Sequence, residues 1–361
     1  MSLDLRQHIL RFGHNATAYQ TLNAGFHHAW VGSAMIGYVR ARARPGGSPV
    51  WVAAGAPIGP ADELATAVAH VDAQARAGGG RAVWFGIEPG ETHLFERHTG
   101  LVVGSHPTWN PCEWPDIVRT HASVRAQIQR ARNKGVDVQE MPASVASSSP
   151  ELRRCLAQWM DARGLPALRF LTDPLVLDAL GDRRVFVARQ VGEVVGYSLL
   201  APVPARNGWM IEWIIQGTEA PNGTASCLLD TAFRALADDG FTWATLGLAA
   251  LSSSAPASST PPPRVVRALL AWTRAHARRF YNFEGLERFK AKFRPEAWEP
   301  IRLYVDEPTV SLSTLYALAD AFAGERTPIE LVSQALASAA RTEARTLVHA
   351  AQARLSSMRG S

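Results

Sequence analysis

The chain has 361 residues, 47% of them hydrophobic and 19% charged, which suits a folded protein of two domains or one large one with a sizeable core. A formal charge of +5 is a modest basic excess that fits an anionic partner such as RNA or phospholipid. The three cysteines, Cys112, Cys155 and Cys227, lie far apart, which excludes a disulfide framework and a CxxC metal site; no run of about 18 apolar residues occurs, and the expected location is a reducing cytoplasm.

In chain order, the stretch VWVAAGAPIG (residues 50–59) reads as a strand, PADE as a turn, LATAVAHVDAQARAGGG (64–80) as a helix ended by glycines, and RAVWFGI (81–87) as a strand. The segment RTHASVRAQIQRARNKGV (119–136) spaces Val124, Ile128 and Ala131 as one helical face and ends at Gly135. Arg119, Arg125, Arg130, Arg132 and Lys134 occupy the remaining surface, the densest basic patch of the chain. Such a run is either a solvated face or a contact for a phosphate backbone. The Ser/Ala/Pro-rich residues 141–150 read as a linker, which divides the chain into an N-terminal domain (1–140), a C-terminal domain (151–306) and a helical tail (307–361).

The second half repeats the grammar of the first. RRVFVARQVGEVVGYSLLAPV (183–203) is a hairpin turning at residues 191–193, GWMIEWIIQ (208–216) a strand, GTEAPNGTAS (217–226) a loop, CLLDTAFRALADDG (227–240) a helix closed by Gly240, and FTWATLGLAAL (241–251) another strand. A polar, proline-rich stretch (252–263) reads as a loop beside the strand end, and residues 264–280 as a helix. In FYNFEGLERFKAKFRPEAWEP (280–300), helical spacing over 284–293 puts Leu286, Phe289 and Phe293 on one apolar stripe bordered by Lys290, with Lys292 farther round toward Arg288. Such a lysine either snorkels to water or holds its ammonium in a cleft. Pro295 stops the helix, and residues 301–305 form a strand. Amphipathic helices in the tail are expected to dock on the body.

The order hairpin, strand, loop, helix, strand, helix, strand is the one expected of a GNAT-type acyltransferase, in which a loop leading into a helix N-terminus holds phosphates. Gln216, Gly217, Gly223 and Thr224 suit such a cradle, yet the compact pyrophosphate loop Q/R-x-x-G-x-G/A of a coenzyme A enzyme is absent. FYNFEGLERFKAKFRPEAWEPIRLYV resembles the C-terminal signature of the bacterial lysyl- and alanyl-phosphatidylglycerol synthases, Y-N-F-x-G-L-x-x-F-K-x-K-F-x-P-x-W. RAQIQRARNKGV, APNGTASCLLD and TLGLAALS match further family segments in order, so the resemblance extends over about residues 57–305. It implies an α/β fold of tandem GNAT-like domains, with aminoacyl-tRNA as donor and a hydroxyl acceptor, a phospholipid such as phosphatidylglycerol. It also implies peripheral contact with the inner face of the membrane.

Two departures limit the transfer. Family members commonly carry a multi-helix membrane flippase domain, and none is expected from these 361 residues. The family's D-L-M-R strand falls on residues 212–215, so Glu212 replaces the aspartate and Ile215 stands where the arginine is expected.

Aminoacyl transfer needs a positive group for the oxyanion and a carboxylate to hold an amino group or accept a proton. Lys290 or Lys292 supplies the first and Glu212, in an otherwise apolar strand face, the second. Gln216, Gly223, Thr224, Gly247, Asn282, Glu284, Arg288 and Arg294 complete the implied substrate-binding set, with helix capping an equally good account of Asn282 and Glu284. Arg125, Arg130, Arg132 and Lys134 form the implied tRNA patch. No cofactor, metal or DNA partner is expected: His8, His14, His27 and His28 lack companions at zinc spacing, and neither a P-loop nor a G-x-S-x-G elbow occurs. The alternatives are an N-acyltransferase using acyl-coenzyme A and a non-catalytic tRNA- or lipid-binding module.

Overall fold

The strand, helix, strand unit read twice from the sequence occurs twice in space, and both copies belong to one sheet. A computed structural model describes residues 3–163, 168–252, 254, 263–268, 283–330 and 333. Its strands are β1 (His27–Val31), β2 (Ala34–Arg42), β3 (Pro49–Ala54), β4 (Arg81–Ile87), β5 (Thr99–Trp109), β6 (Val136–Met141), β7 (Arg184–Gln190), β8 (Glu193–Val203), β9 (Gly208–Gln216), β10 (Trp243–Thr245), β11 (Ala249–Ala250) and β12 (Ala297–Val305). Its helices are α1 (Leu3–Phe12), α2 (Ala61–Ala77), α3 (Trp114–Thr120), α4 (Ala122–Asn133), α5 (Ala143–Ser148), α6 (Pro150–Arg163), α7 (Thr224–Asp238), α8 (Phe283–Ala291) and α9 (Leu312–Ala323), with short 3-10 turns between.

The sheet runs β1-β2-β3-β4-β12-β5-β10-β9-β8-β7-β6, and β11 also pairs with β5. Each half contains one parallel pair joined by a helix, β3 with β4 across α2 and β9 with β10 across α7. In α2, Ala67, Val68, Val71 and Ala75 bury one face, while Asp62 and Glu63 in the first turn complement the helix dipole. Strand β8 is buried along nearly its whole length because α7 packs on one of its faces and α6 on the other.

The domain limits differ from those expected. Strand β6 lies before the expected boundary yet pairs with β7 of the second half. Strand β12 lies after it yet inserts between β4 and β5 of the first. Residues 141–150 are no linker: they hold the end of β6, all of α5 and the start of α6, and Ala146 is fully buried. Alternation of apolar and polar residues in β6 (VDVQEM) was the available signal, overridden by the Ser/Ala/Pro composition that follows. Residues 241–251, expected as one strand, break into β10 and β11 at Gly247, whose φ of 69° ends the extended run. In the tail, α9 packs on β2 and β3 as docking required. The expected loop at 252–263, most of the helix at 264–280 and the tail beyond 333 lie outside the described residues.

Candidate active site

Strand β10 pairs along its whole length with only the start of β9, through Gly208 with Trp243, Trp209 with Ala244 and Met210 with Thr245. At Gly247 the chain turns away to form β11 against β5, so β9 and the following segment part beyond Met210. A cavity of about 380 Å³ opens in the parting, lined by Ile211, Glu212, Trp213 and Ile214 on one side and Leu246, Gly247 and Leu248 on the other. Helix α8 contributes Leu286, Phe289 and Lys290 to it.

Lys290 is only 4% exposed, so it does not snorkel. Its Nζ donates to the carbonyl oxygens of Gly247 at 2.7 Å and Leu248 at 3.0 Å, two acceptors that the turn away from β9 deprives of a neighbouring strand. Burial pulls its pKa from the ordinary 10.5 to about 7. Lys292, the alternative catalytic lysine, is exposed instead: its Nζ stands 4.5 Å and 4.7 Å from the ring centroids of Phe289 and Phe293, on the outside of α8. The helix ends two residues before Phe293, which is nevertheless completely buried and closes the stripe from the following turn.

The Glu212 side chain is fully buried and doubly held. Its Oε2 accepts from Arg183 Nε at 2.6 Å and its Oε1 from Gln20 Nε2 at 3.1 Å. Arg183, itself buried, also donates to Asn23 Oδ1 and lies over the Tyr19 ring. Sequence reasoning missed Arg183, because a charged residue just before an apolar run reads as a strand boundary; its partners are 29 and 160 residues away in the chain. Ile215 is 1% exposed in the apolar core beneath α6, so an arginine there would point away from the cavity.

A second polar group closes another part of the cavity. His106 on β5 stands directly opposite Glu299 on β12, and its Nε2 lies 3.0 Å from Glu299 Oε2. Arg206 sits 3.2 Å from the same oxygen and 3.3 Å from Glu88 Oε2, the latter without hydrogen-bond geometry. Glu88 and His106 line the cavity. Burial works against ionising Glu299, but His106 and Arg206 outweigh it and hold its pKa at about 2. Burial pushes the adjoining Glu88 and Glu91 carboxyls up. Glu88, His106 and Glu299 place ligand atoms within 4.8 Å of one another, a grouping that no spacing along the chain predicts. His8 and His28 do not meet at a common site, each contacting a backbone carbonyl.

Of the expected substrate-binding residues, Gln216 and Gly247 line the cavity. Gly223 and Thr224 do not. Residues 224–227 are buried, the Thr224 hydroxyl donates to Pro221 O, and Gly223 (φ 103°) packs so closely on α4 that a Cβ would come within 2.3 Å of the Gln127 carbonyl oxygen. The N-terminus of α7 is therefore filled by α4 and no cradle is open there. Arg288 and Arg294 are exposed, Arg288 with Glu284 3.4 Å away, and Asn282 lies outside the described residues. In the basic patch, Arg132 is bound to the fully buried Asp230 and Arg125 to the carbonyls of Val118 and Arg119, so these two brace the fold; Arg130 and Lys134 are exposed.

Among the described residues no helix is long and apolar enough to cross a membrane. No curated protein matches the chain. Among solved structures, the C-terminal domain (DUF2156) of an assigned lysylphosphatidylglycerol synthetase from Agrobacterium fabrum is 24% identical, with a TM-score of 0.73 over 90% of this chain and 97% of that one. L-PGS from Bacillus licheniformis is 19% identical, with the same TM-score over 89% and 96%. FemX is 11% identical, with a TM-score of 0.52 over 89% and 99%. These likenesses establish the tandem GNAT-like fold. The family description "Phosphatidylglycerol lysyltransferase, C-terminal" matches residues 6–304, and the chain belongs to that family of transferases.

Proposed function

We propose that the chain moves an amino acid from aminoacyl-tRNA to a hydroxyl acceptor, a phospholipid such as phosphatidylglycerol. The observation that supports this best is the buried Lys290 in the parting of β9 and β10, in one cavity with Glu212, while α4 fills the N-terminus of α7. A coenzyme A donor needs that helix end for its pyrophosphate. An aminoacyl ester needs only a place for its carbonyl, a positive group beside it and a partner for its amino group.

A protonated lysine has three N–H donors. Two are given to Gly247 and Leu248, which fixes the ammonium and leaves the third for a developing oxyanion. Glu212, with its neighbour Gln20, offers the polar wall for the donor's amino group. Arg130 and Lys134 are the exposed cations of α4 and its cap that would meet tRNA phosphates, at the cytoplasmic face of the membrane where donor and lipid meet.

Purified protein incubated with labelled lysyl- or alanyl-tRNA and phosphatidylglycerol in mixed micelles should yield a tRNA-dependent, lipid-extractable product. Turnover of acetyl-coenzyme A without tRNA would favour the N-acyltransferase reading, and tRNA or lipid binding without any product would favour a binding module.

A further inference from the structure

We infer that His106, held by Glu299, is the general base that takes the proton from the acceptor hydroxyl; this rests on the aminoacyl-transfer reading above. His106 is 2% exposed yet lines the cavity, and it sits across from Glu299 in the β5–β12 register. A carboxylate 3.0 Å from Nε2 selects the tautomer that carries its proton there and turns the ring so that Nδ1 is the acceptor. The His106 ring hydrogen bond among the described residues is made by Nε2, and none involves Nδ1. Glu299 is anchored in turn by Arg206.

The other cavity groups are less suited to the task. Both Glu212 oxygens already accept hydrogen bonds, and Lys290 is engaged by the Gly247 and Leu248 carbonyls and needs its own proton for the oxyanion. Glu88 Oε1 is occupied by the Ala16 amide, and its Oε2 faces the Arg206 guanidinium 3.3 Å away. A metal ion held by Glu88, His106 and Glu299 would have to displace Arg206, which already places a positive charge beside both carboxylates.

In the step, the acceptor oxygen forms a bond to the ester carbonyl carbon as its proton passes to Nδ1. The tetrahedral intermediate then collapses, the bond to the tRNA ribose oxygen breaks, and that oxygen leaves with the proton from Nδ1. One C–O bond forms, one breaks, and no electrons are exchanged.

The test measures transfer from charged tRNA to phosphatidylglycerol micelles by wild type, His106→Ala, His106→Gln, Glu299→Gln and Lys290→Ala. General-base loss should cut kcat by about 10²- to 10⁴-fold in both His106 variants. Donor KM should stay within about threefold and added imidazole should partly restore His106→Ala, a pattern a positioned base predicts. Glu299→Gln, which disturbs only positioning, should lose less and move the midpoint of the pH–rate profile. The groups facing His106 that contribute to that midpoint are Glu299, Glu88, Arg206 and, beside Arg206, His14.

A His106→Ala rate within threefold of wild type, beside an inactive Lys290→Ala, overturns the inference and spares the proposed function. Loss of wild-type activity on chelation with recovery on adding zinc or magnesium overturns it in favour of a metal site. No transfer by wild type with any donor removes the proposed function and this inference together. Should the His106 variants not fold, nitrogen-15 spectra of the wild type decide: Nε2–H with a bare Nδ1 is expected, and Nδ1–H refutes it.

Discussion

Replacing Lys290 by methionine keeps an unbranched side chain, shorter by the nitrogen, and removes the ammonium, so stability and pH report on its burial. Its pKa falls from 10.5 to about 7 because burial penalises the charged form. Below pH 7 both folded and unfolded chains carry the proton and the folded state bears the full cost of the buried charge. As pH rises from 7 toward 10.5 the folded chain sheds the proton while the unfolded chain keeps it, so wild-type stability rises relative to the variant. At about 1.4 kcal/mol per pH unit, the gain between pH 6.5 and 9.5 is about 3 kcal/mol. Methionine also leaves the Gly247 and Leu248 carbonyls without their donor, costing about 1–3 kcal/mol each unless water replaces it. Urea denaturation of both proteins at the two pH values checks this. A difference that stays constant within about 1 kcal/mol would refute the burial of a titrating amine at this position. At pH 6.5, where the wild-type ammonium is present, aminoacyl transfer by the variant should fall about 10²- to 10³-fold.

Phe293→Ala should cost about 3–5 kcal/mol by denaturant titration, because Phe293 is fully buried, whereas Phe289, only partly buried, should cost less than that. Glu212→Gln strands the buried Arg183 without a counter-charge and should lower stability by about 3–5 kcal/mol, seen as a fall of several degrees in Tm. Charge reversal at Arg130 and Lys134 together should weaken tRNA binding and flatten its salt dependence with little change in Tm. Arg132→Ala should instead lower Tm, since it leaves the buried Asp230 with Arg234 as its remaining cationic partner.

Repeating units were legible because their signals are local: apolar periodicity in α2 and α7, glycines at their ends, and Gly192 in the β7–β8 turn. The sequence also pointed to Lys290, since a lysine bordering an apolar stripe has few places to go, and to Glu212, a lone carboxylate in an apolar strand. Their surroundings were not legible. Arg183 meets Glu212, and His106 meets Glu299, through pairings 29 and 193 residues long that no window along the chain contains. The glycine and threonine of the α7 loop carry the composition of a phosphate cradle, and only the packing of α4 on Gly223 shows that the space is taken. Likewise the arginines of α4 share one composition, but Asp230 and the carbonyls of α3 decide which of them remain available.

The placement of β12 between β4 and β5 makes completion of the sheet a late event in the life of the chain. Until residues 297–305 have been synthesised, β4 and β5 each present a bare edge on the inner side of the sheet, and the pairings that close them span roughly 190 to 220 residues, the kind of non-local contact that slows folding. Helix α8 lies immediately ahead of this strand, so the insertion that joins the two halves also carries Lys290 into the cavity, and Glu299 arrives against His106 in the same movement. A nascent or truncated chain ending before Ala297 would hold β9, α7 and Glu212 while lacking Glu299 and the strand that seats α8. On the proposed mechanism, the lysine and the histidine–glutamate pair come together only as the fold closes.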